Sequence, residues 1–88
     1  MEEILKRAKY SSDNDGKYLY DSLFHLWEES GEIAKAFRKP EKANESYEIE
    51  CADTILTCLD VMFKSGLTIE QVKQTLSLKL KKWERNLP

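Results

Sequence analysis

The sequence predicts an all-α domain, and three observations carry that prediction. Apolar residues recur at helical spacing through long stretches. No strand-like alternation, internal repeat or low-complexity tract interrupts them. Only three glycines and two prolines punctuate the 88 residues. A composition that is 41% hydrophobic and 34% charged suits an ordered helical chain rather than a disordered one. The length supports a single domain spanning residues 1–88, with a small core that would gain from assembly.

Four helices are expected in order. The first is short, over about residues 2–8, with Ile4, Leu5 and Ala8 on one face. The small polar run SSDNDG, 11–16, then breaks the pattern. The second helix should span 17–38. Leu19, Leu23, Leu26, Ser30, Ala34 and Phe37 form its stripe, widened by Tyr20, Trp27 and Gly31. Trp27 and Trp83 read as packing residues rather than base-stacking platforms. Pro40 ends the helix, and KPEKANE is a polar connection.

The third helix should begin near Asn44 or Ser46, either of which can cap it, and run to Lys64. Tyr47, Cys51, Ile55, Cys58, Leu59, Met62 and Phe63 cover a wide arc, which implies more than one packing partner. Gly66 is suited to its C-terminal cap. The fourth helix has the clearest start: Thr68 with Gln71 makes a capping box, and Leu67 with Val72 a hydrophobic staple. Ile69, Val72, Leu76, Leu80 and Trp83 mark its apolar face. Short connections make the helices antiparallel neighbours.

Charge and cysteine usage narrow the function classes. A net charge of −2 leaves no electrostatic footprint for nucleic acid. Cys51 and Cys58 are separated by about 10 Å of helix rise, too far for a disulfide, so both are expected as buried free thiols. That suits a reducing cytoplasm. MEEILKRAKY lacks the apolar core of a signal peptide, and no apolar run reaches membrane-spanning length. A cytoplasmic protein with no membrane association is the expectation.

Two acid pairs stand out. On the second helix Glu29 and Glu32 lie about 60° apart in projection, one turn from each other, at the border of the apolar face. On the third helix Glu50 and Asp53 repeat the relation, and Thr57 and Asp60 extend their strip. If the helices pack antiparallel, the pairs can meet. Four ionised carboxylates at close quarters repel one another, whereas a divalent cation would reverse that sign. Oxygen-only ligands favour magnesium or manganese over zinc. The competing reading is a solvated acidic face, in which Lys35 pairs with Glu32.

The residues Glu29-Ser30-Gly31-Glu32 followed by Glu50-Cys51-Ala52-Asp53 resemble the E-x-x-E…E-x-x-D signature of the MazG-like all-α nucleotide pyrophosphatases. WEESGEIAKAF is similar to that family's second-helix motif, including the doubled Glu28-Glu29 and Gly31. CADTILTCLDV is similar to its third helix, and KLKKWERN to the basic segment of its last. The resemblance covers roughly residues 18–86. It implies a four-helix bundle assembled as a dimer or a dimer of dimers, with pockets lined by more than one chain. The first helix is short for this family, where that helix often helps to shape the base pocket.

The resemblance further implies Mg2+-dependent hydrolysis of (deoxy)nucleoside triphosphates to monophosphate and pyrophosphate, a house-cleaning activity on the nucleotide pool, with Mn2+ as a substitute. Glu29, Glu32, Glu50 and Asp53 would be the metal ligands. Glu28 is the candidate to accept the attacking water's proton, or else an exposed surface residue. Lys79, Lys82 and Arg85 are candidates for the outer phosphates, or else a basic turn that complements the helix dipole. His25, one turn before Glu29, is a substrate-pocket candidate or an ordinary half-buried histidine. The alternative function is a non-catalytic helical module for oligomerisation or partner binding. A carboxylate-bridged iron protein would need E-x-x-H pairs, which this chain lacks.

Overall fold

A computed structural model describes residues 1–88 and is all-helical: α1 (Glu2–Asn14), α2 (Leu19–Arg38), α3 (Tyr47–Lys64) and α4 (Ile69–Arg85), with a 3₁₀ turn, Pro40–Lys42, between α2 and α3. No helix is long and apolar enough to cross a membrane. The boundaries of α2, α3 and α4 match the sequence expectation to within two or three residues.

The caps around Gly66 and Thr68 form as the sequence implies. The Leu67 amide donates to the Met62 carbonyl and the Gly66 amide to that of Phe63, at 3.2 and 2.9 Å. This is a Schellman closure, and it requires the positive φ of 98° at Gly66. Two residues on, the Gln71 amide donates to Thr68 Oγ1 and the Thr68 amide to Gln71 Oε1. Together these caps turn the chain from α3 into α4 and seat Leu67, Ile69 and Val72 on the core.

That core is small. Leu5, Leu59, Phe63 and Val72 form one buried cluster, with Ala8, Met62, Leu67 and Ile69 packed around it. It joins α1, the C-terminal half of α3 and the first turn of α4. Val72 is 0% exposed, yet from Gln74 to the C-terminus every residue of α4 is exposed. The chain is therefore not a fully packed four-helix bundle: α4 stands away from a three-helix body. Its radius of gyration, 14.6 Å, exceeds the roughly 12 Å of a compact chain of this length.

Several sequence expectations require correction. α1 is not short; it continues through Ser11, Ser12 and Asp13 to Asn14. Ser12 follows Leu5 and Ala8 on the inward face and is buried, where its backbone carbonyl accepts from Lys64 Nζ at 3.1 Å. A tertiary partner thus sustains a helix end whose local sequence favours a turn. The inward stripe of α2 is also rotated. Ser22 and Ala36 are buried and Leu26, Glu29 and Ile33 half-buried, whereas Leu23 and Phe37 are exposed. Trp27 is 76% exposed and Trp83 also faces outward, so neither packs within one chain. Both cysteines are free, but Cys51 is half-buried and Cys58 exposed.

Lys64 ties the polar side of the body together. Its ammonium, 8% exposed, reaches Asp60 at 2.6 Å and Asp15 at 3.0 Å, while Ser22 of α2 donates to the other Asp60 oxygen. Burial alone would raise the Asp60 carboxyl, but the hydrogen bonds from Lys64 and Ser22 outweigh it and hold it below the ordinary value. Asp15 is lowered by the Lys17 amide and then by Lys64. Burial would lower Lys64 itself; its two carboxylate partners carry it above its ordinary value instead.

Lys64→Met should cost about 1–2 kcal/mol at neutral pH, since the lost hydrogen bonds are charge-assisted but partly solvated. The depressed aspartates stabilise the fold above the ordinary aspartate value of 3.8, and that contribution is lost as pH falls through their lowered values. The raised lysine stabilises it below 10.5 and the contribution is lost above its own raised value. Urea midpoints of the two proteins should therefore differ between those limits and converge under acid.

Candidate metal centre

The apolar core occupies one end of α3, and the acid pairs occupy the other. From Glu50 to Phe63 the helix rises about 20 Å. α2 packs along α3, its start meeting Asp60 and its end Tyr47, and this brings Glu29 to Glu50 and Asp53. One ligand atom from each of these three carboxylates lies within 4.8 Å of the others. They border a cavity of about 260 Å3 whose eight lining residues are His25, Glu28, Glu29, Glu32, Asn44, Glu45, Glu50 and Asp53. Six of the eight are acidic, and none is a lysine or arginine.

Every acidic candidate on α2 and α3 thus lines one cavity, though unequally. Glu29, Glu50 and Asp53 are gathered, whereas Glu32 and Glu28 are exposed at its border. His25 is neither a distant residue nor a member of the carboxylate cluster. Its Nε2 lies 2.7 Å from Glu29 Oε1 and fixes that carboxylate. A hydrogen bond of this kind orients metal-binding carboxylates. The second oxygen, Glu29 Oε2, is buried with no hydrogen-bond partner. Such an orphan is costly unless a proton or a cation occupies the space beside it.

Glu50 is the most enclosed acid of the group, at 7% exposed. Burial pushes its carboxyl above the ordinary glutamate value; the neighbouring carboxylate of Glu29 pushes the same way, followed by the charges of Glu45 and Asp53. The donor set fits a hard divalent cation. It is all oxygen, anionic, drawn from two helices and includes a carboxylate with one buried, unpartnered oxygen.

Asn44 and Glu45 also line the cavity, and the sequence offered no sign of this beyond the capping chemistry of Asn44. They lie in the connection between α2 and α3, and only its path past the 3₁₀ turn brings them to the acids. His25 and Glu28 additionally border an adjoining polar cleft of about 650 Å3, which Ser22, Thr57 and Asp60 also line. Lys79, Lys82 and Arg85 are exposed on the outer part of α4 and line neither cavity. Comparison with family models, with curated proteins and with solved structures found no match to this chain.

Because Glu50 titrates at a raised value, its charge weakens the metal-free fold as pH rises above the ordinary 4.5. Glu50→Gln should therefore raise the melting temperature of the metal-free protein at pH 7 and flatten its fall between acid and neutral pH. A glutamate that merely decorates the surface would give no change in either.

Proposed function

We propose that this chain is a metal-dependent nucleoside triphosphate pyrophosphohydrolase of the MazG-like class, acting on (deoxy)nucleoside triphosphates in the cytoplasmic nucleotide pool. The observation that carries the reading is the convergence of Glu29, Glu50 and Asp53 from two helices, with one buried Glu29 oxygen left unpartnered. An acid cluster in this state is unfavourable by itself and becomes favourable around a cation. Glu29, Glu50 and Asp53 would hold Mg2+, or Mn2+ in its place, with Glu32 of the same cavity as the fourth ligand. When bound, the metal supplies positive charge against the triphosphate and Lewis acidity toward water.

The chain's own residues account for the rest of the reaction. His25 holds the Glu29 carboxylate in place through Nε2. Glu28 borders both the acidic cavity and the polar cleft, where its carboxylate can accept the proton of the attacking water. Water oxygen bonds to the α phosphorus, the bond to the bridging oxygen breaks, and pyrophosphate departs. Lys79, Lys82 and Arg85 offer charge to the outer phosphates, Arg85 through its bidentate fork. Since they line neither cavity of their own chain, they would act on the site of a second copy.

The exposed apolar residues Leu76, Leu80 and Trp83 of α4, and Leu23, Phe24 and Trp27 of α2, support a homodimer or homotetramer. The same surfaces favour a second reading, a non-catalytic helical module that uses the fold for assembly alone. The two readings diverge on the carboxylates.

Release of pyrophosphate and monophosphate from a panel of nucleoside triphosphates should require magnesium and stop with chelator. Asp53→Asn should lower turnover at least about a hundredfold, since even residues behind a metal ligand cost 10–100-fold. Absence of turnover on every nucleotide, together with a melting temperature indifferent to magnesium, would leave the assembly module.

A further inference from the structure

A second charged cavity, of opposite sign, lies along the C-terminal half of α2 and the turn after it. It measures about 330 Å3 and is lined by Gly31, Ala34, Lys35, Arg38, Lys39 and Lys42. Four of its six lining residues are cations and none is an acid. None of the four cations makes an ion pair; those of the chain involve Lys9, His25, Lys64 and Lys73.

The helix dipole accounts for only part of this. Lys35 and Arg38 lie in the last turn of α2, where positive charge is favoured. Lys39 and Lys42 lie beyond the helix, and like charges at this spacing repel. The fold nevertheless gathers them. The Lys39 amide donates to the Lys35 carbonyl at 2.8 Å, and the Lys42 amide donates to the Lys39 carbonyl at 2.9 Å through the 3₁₀ turn. The edge-to-face pair of Phe37 and Tyr47, with centroids 5.4 Å apart, joins the end of α2 to the start of α3 across that turn. The turn thus carries Lys42 back to the cavity that Lys35 and Arg38 line. Acids were available in a chain with 16 of them, and Glu41 lies within the same turn, yet it does not line the cavity.

We infer that this cradle binds a small, phosphate-dense anion, of the class of inorganic pyrophosphate or the oligophosphate end of a nucleotide. The arginine fork supplies planar, bidentate contacts to phosphate oxygens, and the three lysines supply point charge around it. The cradle suits a compact anion rather than a nucleic acid backbone. It is local, and the carboxylates of the neighbouring acidic cavity would repel a long polyanion. The inference does not depend on the proposed hydrolysis, because it needs neither the metal nor the acid cluster.

The test is calorimetric titration of the full chain with pyrophosphate in chelator, with amide NMR shifts mapped in parallel. Two variants accompany it, K35Q/R38Q/K39Q/K42Q and, as a control for general loss of positive charge, K79Q/K82Q/R85Q. All seven side chains are exposed, so both variants retain the core. Saturable binding is expected, with shifts centred on residues 35–43, at least tenfold weakened in the first variant and little changed in the second. A nucleoside triphosphate that competes, where the monophosphate does not, assigns the oligophosphate end of a nucleotide; competition by neither assigns the free anion. The inference is overturned by absence of saturable binding, by binding that survives in the first variant, or by equal loss in both. A single-stranded oligonucleotide that binds more tightly through the same four residues also overturns it. None of these outcomes bears on magnesium-dependent turnover, so the two proposals fail separately.

Discussion

The contact between α2 and α3 sets polar and charged groups against one another among its apolar contacts, and the rest of the molecule is arranged around that constraint. Ser22 meets Asp60, and Glu29 meets Glu50 and Asp53. These polar pairs gain nothing from the burial of apolar area that Leu26, Ile33 and Ala36 of α2 contribute. The acid pairs are unfavourable while ionised and without a cation. The fold is held elsewhere, by Leu5, Leu59, Phe63 and Val72 at the opposite end of α3. The third helix thus serves two incompatible environments, an apolar one toward its C-terminus and an anionic one toward its N-terminus. The Lys64 network lies at the C-terminal end of this helix beside the apolar core, and it ties α1, the loop after it and α2 onto the same helix.

This division explains why the acids are so poorly compensated. Lys64 is committed to Asp15 and Asp60, and Lys73 to Glu2 and Glu70. The lysines and arginine at the end of α2 are turned to a separate cavity. Glu29 receives only His25, and Glu50 receives no cation at all. α2 therefore carries charge separation along its length, acids in its middle and bases at its end. Beyond Val72, α4 adds a third feature, an amphipathic arm whose apolar stripe meets nothing in its own chain. Five buried apolar residues form a slender core for 88, and the exposed stripe is consistent with further stabilisation by association.

What the sequence by itself determined were the local features: four helices, the caps at Gly66 and Thr68, and the i,i+3 acid pairs that share a helix face. These follow from short-range geometry and capping chemistry, which act within a few residues. What only the tertiary structure decided was which faces meet. Leu23, Trp27 and Phe37 of the apolar stripe expected on α2 are exposed, because the face turned inward is the one that carries Ser22, Glu29 and Ala36. α1 outlasts its polar end because Lys64 and Asp60, about fifty residues away, accept it as a neighbour. The distinction among the acids is likewise tertiary. Glu29 and Glu32 look equivalent on one helix, yet the crossing of α2 and α3 buries one beside Glu50 and leaves the other at the border. Helical periodicity says which residues share a face; packing against a partner alone says which side of that face loses its water.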